Sequence, residues 1–208
     1  MIEMTLCDTL SHSRKLLSLI NYAVEKIGID INTIDGYAVS TGPGSFTGLR
    51  IGIGTIKGLA MATGKPVVGI STLEALSYSV SLNPALICPI LDARKNEVYT
   101  SLFRYQDSKL IRLTDDMVIS PKELLSNINE KAIFLGDAVS VYKDFILEML
   151  DDQALFLPGS FNHPRGSSVA NLGALKFNNG EAVNLNDLKP TYIRRSEAEI
   201  KWETKQQH

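Results

Sequence analysis

The chain has 208 residues, of which 44% are hydrophobic and 21% charged, and its formal net charge is −2. A chain of this size buries roughly 70% of its unfolded surface, which excludes a disordered tail, a collagen-like repeat and a disulfide-held miniprotein. Near-neutrality excludes a global basic field for nucleic acid. Three His and two Cys leave little material for a His-rich metal site.

Taken in order, Glu3 to Cys7 reads as a short strand, and Asp8, Thr9 and Ser11 offer helix caps. Leu16, Ile20, Ala23 and Ile27 recur at helical spacing, Leu17 and Val24 widen the stripe, and Gly28 closes the helix. Tyr37 to Ser40 is a buried strand. The glycine-rich turn Thr41 to Arg50 follows, then a helix from about Thr47 to Ala62 that ends at Gly64 and Pro66. Val67 to Ile70 is a second buried strand, and Ser71 or Thr72 caps a third helix with Glu74 in its first turn. This alternation predicts an α/β layer with a largely parallel sheet.

The second half changes character. Ile87 to Leu91 is a strand, Asp92 to Asn96 a turn, and Glu97 to Tyr105 an alternating strand. Asp107-Ser108 turns the chain into Lys109 to Leu113. Further helices are expected over Pro121–Ile128, Val139–Leu150 and Ser167–Asn178, with a short strand at Ala132–Leu135 and a loop over Pro158–Pro164. Residues 190 to 208 form a polar tail in which Lys201 to Lys205 reads as solvated. The boundary near Ile87 to Asp92 divides the chain into residues 1–90 and 91–208. The apolar runs, such as Leu86 to Leu91, fall far short of the roughly 20 residues of a membrane span. Met1 to Met4 is not a secretory leader, so a cytoplasmic protein is expected. Cys7 and Cys88 read as buried free thiols.

The glycine-rich turn has two readings. Its backbone N–H groups at a helix start could cradle phosphate. It lacks the Lys-Ser or Lys-Thr pair of a P-loop, and Gly42, Gly44 and Gly48 miss the dinucleotide spacing. In the second reading, Gly48, Gly52, Thr55, Leu59 and Ala62 make a small-residue helix face for close packing, within the chain or with a partner. Each helical glycine costs roughly 1 kcal/mol relative to Ala, so four of them point to offsetting contacts. His12, His163 and His208 match no zinc spacing. Gly44-Ser45-Phe46-Thr47-Gly48 is not a nucleophile elbow. Asp92 and Glu97 could form a carboxylate pair, although a solvated turn explains them too, and Gly136-Asp137 is a strand-end turn of the same ambiguity.

The string Ser40-Thr41-Gly42-Pro43-Gly44-Ser45-Phe46-Thr47-Gly48-Leu49-Arg50-Ile51-Gly52 resembles the signature of the TsaB (YeaZ-type) family. The likeness continues through Gly58 to Ala60, Pro66 to Glu74, Leu91 to Tyr99, Gly136-Asp137 and Pro190 to Arg194. It implies an actin-like, hsp70-like (ASKHA, ribonuclease H-like) two-lobed fold. It also implies a cofactor-free accessory role in making threonylcarbamoyladenosine on tRNA. The implied partners are a TsaD-like catalytic subunit, a TsaE-like ATPase and, in self-pairing, a second copy, with tRNA met only through the complex. The partner face expected from it comprises Leu16, Ile20, Ala23, Val24, Gly48, Arg50, Gly52, Thr55 and Leu59. The catalytic relative has a His-Met-Glu-Gly-His metal motif where this chain reads Thr72-Leu73-Glu74-Ala75-Leu76, so no metal site is expected. Cys7-Asp8-Thr9 only superficially matches the family's opening phosphate motif. The family's first hairpin is expected to be absent, leaving the N-terminal lobe incomplete with an exposed sheet edge. The competing readings are an independent nucleotide hydrolase, a glycoprotease-like peptidase, or direct tRNA binding through a local patch.

Overall fold

The computed structural model describes residues 1–6, 12–80 and 83–194. The predicted caps at Asp8, Thr9 and Ser11, Cys7, and the tail from Arg195 through Lys201–Lys205 to His208 lie outside the described residues. So does the side chain of His12.

The first lobe has a two-stranded parallel sheet. β1 (Tyr37–Gly42) pairs with β2 (Val67–Ser71), Tyr37 opposite Val67 and Ser40 opposite Ile70. Helix α1 (His12–Ile27) packs on α2 (Phe46–Thr63), and α2 packs on β1. Ile53, Ile56 and Ala60 of α2 close over Tyr37 and Val67. The other sheet face, Ala38, Val68 and Ile70, is covered by α6 (Gly166–Asn178) through Val169, Leu172 and Phe177. The residue 91–208 half therefore sends a helix back across the 1–90 half. Val183, which bridges Val67, and Leu188, which joins the α2 core, return with it.

The second lobe is built on β3 (Leu86–Asp92), which is buried on both faces, as its unbroken apolar run requires. Leu86, Cys88 and Ile90 face α4 (Pro121–Ser126) and α5 (Val139–Leu150), where Leu124, Leu125, Ile146 and Leu150 complete the core. Ile87 and Leu91 face α3 (Thr72–Tyr78), through Leu73 and Leu76. Burial pushes the Cys88 thiol up to about 12, so it stays protonated, as a buried free thiol.

The strand expected over Glu97–Tyr105 divides into β4 (Val98–Thr100) and β5 (Phe103–Gln106). Both pair antiparallel with β3 in one unbroken register, Asp92 opposite Val98, Ile90 opposite Thr100 and Ile87 opposite Phe103. The interruption at Ser101-Leu102 arises on the far edge. There the Ser101 hydroxyl donates to Thr114 O and Leu102 N–H donates to the Thr114 hydroxyl. On that edge β6 (Lys109–Arg112) pairs with β5, and β7 (Met117–Ile119) pairs with β4. On its other side β3 pairs in parallel with β8 (Ala132–Leu135), which pairs in parallel with β9 (Ala154–Phe156). Three antiparallel layers followed by two parallel strands make a ribonuclease H-like core. Strands β7 and β9 were not expected, since three residues carry too little alternation to be read. Among the described residues no helix is long and apolar enough to cross a membrane.

The strand expected at Glu3–Cys7 does not form over residues 3–6. Glu3 instead caps α6. Arg165, at the N-cap, makes no side-chain cap bond, and the Glu3 carboxylate accepts from Ser167 N–H and from its hydroxyl, both at 2.9 Å. It also takes the Arg165 guanidinium at 2.7 Å. The negative charge sits at the positive end of the helix dipole. The Arg165 bond and the Ser167 backbone bond hold the Glu3 carboxyl well below its ordinary 4.5, at about 2.

Two predictions follow from this packing. Because the folded-state value of Glu3 is depressed, its contribution is full above pH 4.5 and is lost as pH falls towards 2. Denaturant titration of Glu3→Gln should show a weaker loss of stability over that window than the parent chain. A Cβ at Gly136 (φ +111°) would stand 2.1 Å from Ile90 O. Gly136→Ala should therefore cost at least ~3 kcal/mol, read from the denaturation midpoint.

Candidate functional site

Helix α2 is set by its ends. The Ser45 hydroxyl accepts from Gly48 N–H at 3.3 Å, and Gly64, at φ +67°, closes the last turn. Its four interior glycines meet different surroundings. A Cβ at Gly48 would touch Ser45 at 3.4 Å, and one at Gly52 would meet Val39 of β1 at 3.7 Å. Gly54 and Gly58 have nothing within 4 Å. The small-residue face expected along Gly48, Gly52, Thr55 and Leu59 is half-buried, and Leu59 packs on the α2 core. The open face runs along Arg50, Gly54, Gly58 and Met61, the last 75% exposed.

Leu16, Ile20, Ala23 and Val24 of α1 are likewise half-buried. Leu16 and Ile20 line a groove of about 760 Å³ beside β1, shared with Gly52, Ile56 and Phe177. The apolar side chains that α1 leaves exposed are Leu17, Tyr22 and Ile27. The expected partner set is thus brought onto one pair of packed helices. Its outer surface is offset towards residues left out of that set, Leu17 and Tyr22 on α1 and Gly54, Gly58 and Met61 on α2. Periodicity alone could not assign which side of α2 met β1, because small residues line both sides.

Arg50 is exposed but organised. Its guanidinium lies 4.0 Å from the Phe46 ring centroid, and its Nε donates to the Tyr192 hydroxyl at 3.0 Å.

The glycine-rich turn opens into a cleft of about 670 Å³ between the lobes. Ser40, Ser45, Phe46 and Thr72 line it from one lobe, and Asp92, Arg94, Tyr99 and Asp137 from the other. Two carboxylates sharing the cleft with the α2 N-terminus oppose anion capture there. Asp92 and Glu97, read as a possible pair, each take an arginine: Arg94 binds Asp92 at 3.0 Å and Arg194 binds Glu97. Asp137 accepts from Asp92 N–H at 2.9 Å, and Gly136 N–H donates to Asn162 Oδ1. Both are strand-end bonds. Burial, with the Asp92 charge, raises the Tyr99 hydroxyl above its ordinary value, so it stays protonated. His163 is an exposed loop residue.

At the position where the resemblance implies a metal motif in a catalytic relative, Thr72 bonds Ser40 at 2.6 Å. Leu73 and Leu76 have no exposed surface and lie against Ile87, Leu91, Phe103 and Leu135. This stretch is core, joining the lobes. Sequence reading missed this junction, along with the Glu3 cap; a helical Leu-x-x-Leu pair is too common to single out.

A family model described as TsaD, tRNA N6-adenosine threonylcarbamoyltransferase, matches residues 9–202. The chain is 32% identical to the tRNA threonylcarbamoyladenosine biosynthesis protein TsaB of Bacillus subtilis, covering 92% of this chain and 83% of that protein. The chain belongs to the TsaB (YeaZ-type) family. The protein of the same name from Haemophilus influenzae is 26% identical, covering 92% and 82% of the two chains. A crystal structure from Pseudomonas aeruginosa, described as an uncharacterized protein with similarity to peptidase YeaZ, superposes with a TM-score of 0.77 at 25% identity. It covers 89% of this chain and 85% of that one. The actin-like, two-lobed fold expected from the resemblance is the fold observed.

Gly54 and Gly58 carry their helical cost with open space around the missing side chain. Gly54→Ala should stabilise the isolated chain by about 1 kcal/mol in chemical denaturation, since a helical glycine with open space carries only its propensity cost.

Proposed function

We propose that this chain is the TsaB-type subunit of the apparatus that makes threonylcarbamoyladenosine on tRNA. In this reading it works as a non-catalytic partner of a TsaD-type transferase. The names of its relatives support the pathway. One observation carries the accessory role: the Thr72–Leu76 stretch is buried core, with Leu73 and Leu76 sealed against the second lobe. Converting it to a ligand-bearing surface would dismantle the junction between the lobes.

The docking surface in this reading is the α1/α2 pair. Leu16, Ile20, Ala23, Val24, Gly48, Gly52, Thr55 and Leu59 shape it from below. Arg50, Gly54, Gly58 and Met61, with Leu17 and Tyr22, present its outer side. Open glycines allow a partner helix to approach closely, and the exposed apolar side chains supply burial area. The same face would serve a second copy of the chain in the partner's absence, so homodimer and heterodimer compete. A TsaE-type ATPase completes the assembly, tRNA is met through the complex, and the setting is cytoplasmic.

The test is reconstitution with the cognate transferase, ATPase and unmodified tRNA. Adding the chain should raise tRNA modification well above the level without it. Gly54→Glu and Gly58→Glu should each weaken co-purification with the transferase and lower modification in parallel, by about tenfold or more, without loss of folding. Equal modification with and without the chain refutes the role. Unimpaired complexes from both glutamate variants refute the face.

A further inference from the structure

Residues Thr191–Arg194 run from one lobe to the other and are gripped on both. On the first lobe, Thr191 N–H donates to Thr41 O at 2.7 Å. A Cβ at Gly42 would stand 2.8 Å from Thr191 O, so the close approach needs glycine there. The Tyr192 ring stacks on Phe46, with centroids 5.1 Å apart and planes at 25°. Its hydroxyl accepts from Arg50, whose guanidinium in turn covers Phe46. Two residues on, Arg194 reaches the second lobe. Its Nη1 donates to Ala93 O at 2.8 Å, and its Nη2 pairs with the Glu97 carboxylate. Ala93 and Glu97 close the β3–β4 turn, where Ala93 N–H donates to Glu97 O at 3.0 Å and Arg94, Lys95 and Asn96 all have left-handed backbone.

The segment holds both walls of the cleft. Phe46 and Ala93 each line the cleft, and each is a point where the segment is attached. Besides the chain crossings, the lobes meet through the apolar contact of α3 with β3, β5 and β8 and through two hydrogen bonds, Tyr105 hydroxyl to Tyr78 O at 3.0 Å and Ser71 hydroxyl to Asp116 at 3.5 Å. Ser71, Tyr78, Tyr105 and Asp116 all lie off the cleft lining, so these contacts act as the pivot of the two walls. We propose that Thr191–Arg194 is a latch that sets the separation of the two lobes, and that release of Arg194 from the β3–β4 turn opens the cleft. The grip is asymmetric. The first-lobe side is a stacked ring pair and a backbone bond seated against glycine. The second-lobe side depends on one guanidinium, whose ion pair is partly exposed, 25% for Arg194 and 37% for Glu97. Ionic strength weakens an exposed pair and leaves stacking almost untouched. Release therefore occurs at Arg194, the segment stays with the first lobe, and relatching needs no covalent change.

The experiment is pulsed dipolar EPR on the full chain, diluted with unlabelled chain to remove distances between copies. Nitroxides are placed at Leu175→Cys on α6, which packs on the first lobe, and Val141→Cys on α5, both exposed positions, in a Cys7→Ser background. The parent should give one narrow distance distribution at low salt. Arg194→Ala and Glu97→Gln should each shift it to longer distance by several ångströms and broaden it. High salt should move the parent the same way and leave Arg194→Ala unmoved. If Arg194→Ala does not fold, Glu97→Gln and the salt series on the parent decide by the same criteria. A distribution that stays narrow and unshifted in Glu97→Gln, or across the salt series in the parent, overturns the latch.

Discussion

Leu73 and Leu76 have no surface in water, and both belong at once to the first lobe by chain and to the second by packing. Everything else about the molecule is arranged around that contact. It orients α3, whose N-terminal Ser71 cap and Thr72–Ser40 bond fix the floor of the cleft. It covers one face of β3 while α4 and α5 cover the other, which is why a strand of seven residues could be almost wholly apolar. The same contact underlies the accessory role proposed above: of the two positions at which the resemblance implies metal ligands in a catalytic relative, Leu76 here belongs to the packing between lobes and Thr72 bonds Ser40.

A Cβ at Gly48 or Gly52 would meet Ser45 or Val39 only at ordinary contact distance, so the packing of α2 on its own sheet does not demand either glycine. Glycines at 54 and 58 have no such neighbour, and their helical cost is not offset inside the chain. That unoffset cost, repeated one turn apart, is what supports the docking face proposed above. The stacked Phe46, Arg50 and Tyr192 cluster at the N-terminal end of the same helix joins it to the Thr191–Arg194 segment.

Much of this was legible in the residues. The end of α2 was readable because Gly64 is a clear stop, while its Ser45 cap went unread inside the glycine-rich turn. Helix α5 was readable because a long apolar stripe lies between clear breaks, and β3 because a strand covered on both faces tolerates Leu86 to Leu91. The Glu97–Tyr105 strand was readable as one because its register against β3 is continuous, and its division was hidden because Thr114, which causes it, lies on the opposite edge. Glu3 was misread as part of a strand for a similar reason: its partners are Arg165 and Ser167, and no local pattern announces a cap supplied from 160 residues away. The candidate partner face was legible as a pair of helices but not as a surface, because exposure depends on which side of α2 meets β1. The grip of Arg194 on Ala93 and Glu97 left no periodic trace at all.

The return of α6 to the first sheet also governs how the chain is made. Synthesis runs from the N-terminus, and domains generally fold as units as they emerge. Here β1 and β2 are completed early, yet one face of their sheet waits for Val169, Leu172 and Phe177, and the α2 core waits for Leu188. The second lobe, continuous in sequence, has all its strands in hand by Phe156. The half that leaves the ribosome first is thus the last to have all its packing partners, and its contacts close long loops, which cost more chain entropy than local ones. Until they close, a two-stranded sheet with a bare apolar face is exposed to whatever else is nearby, which makes early capture by a helper or partner a kinetic advantage for this architecture.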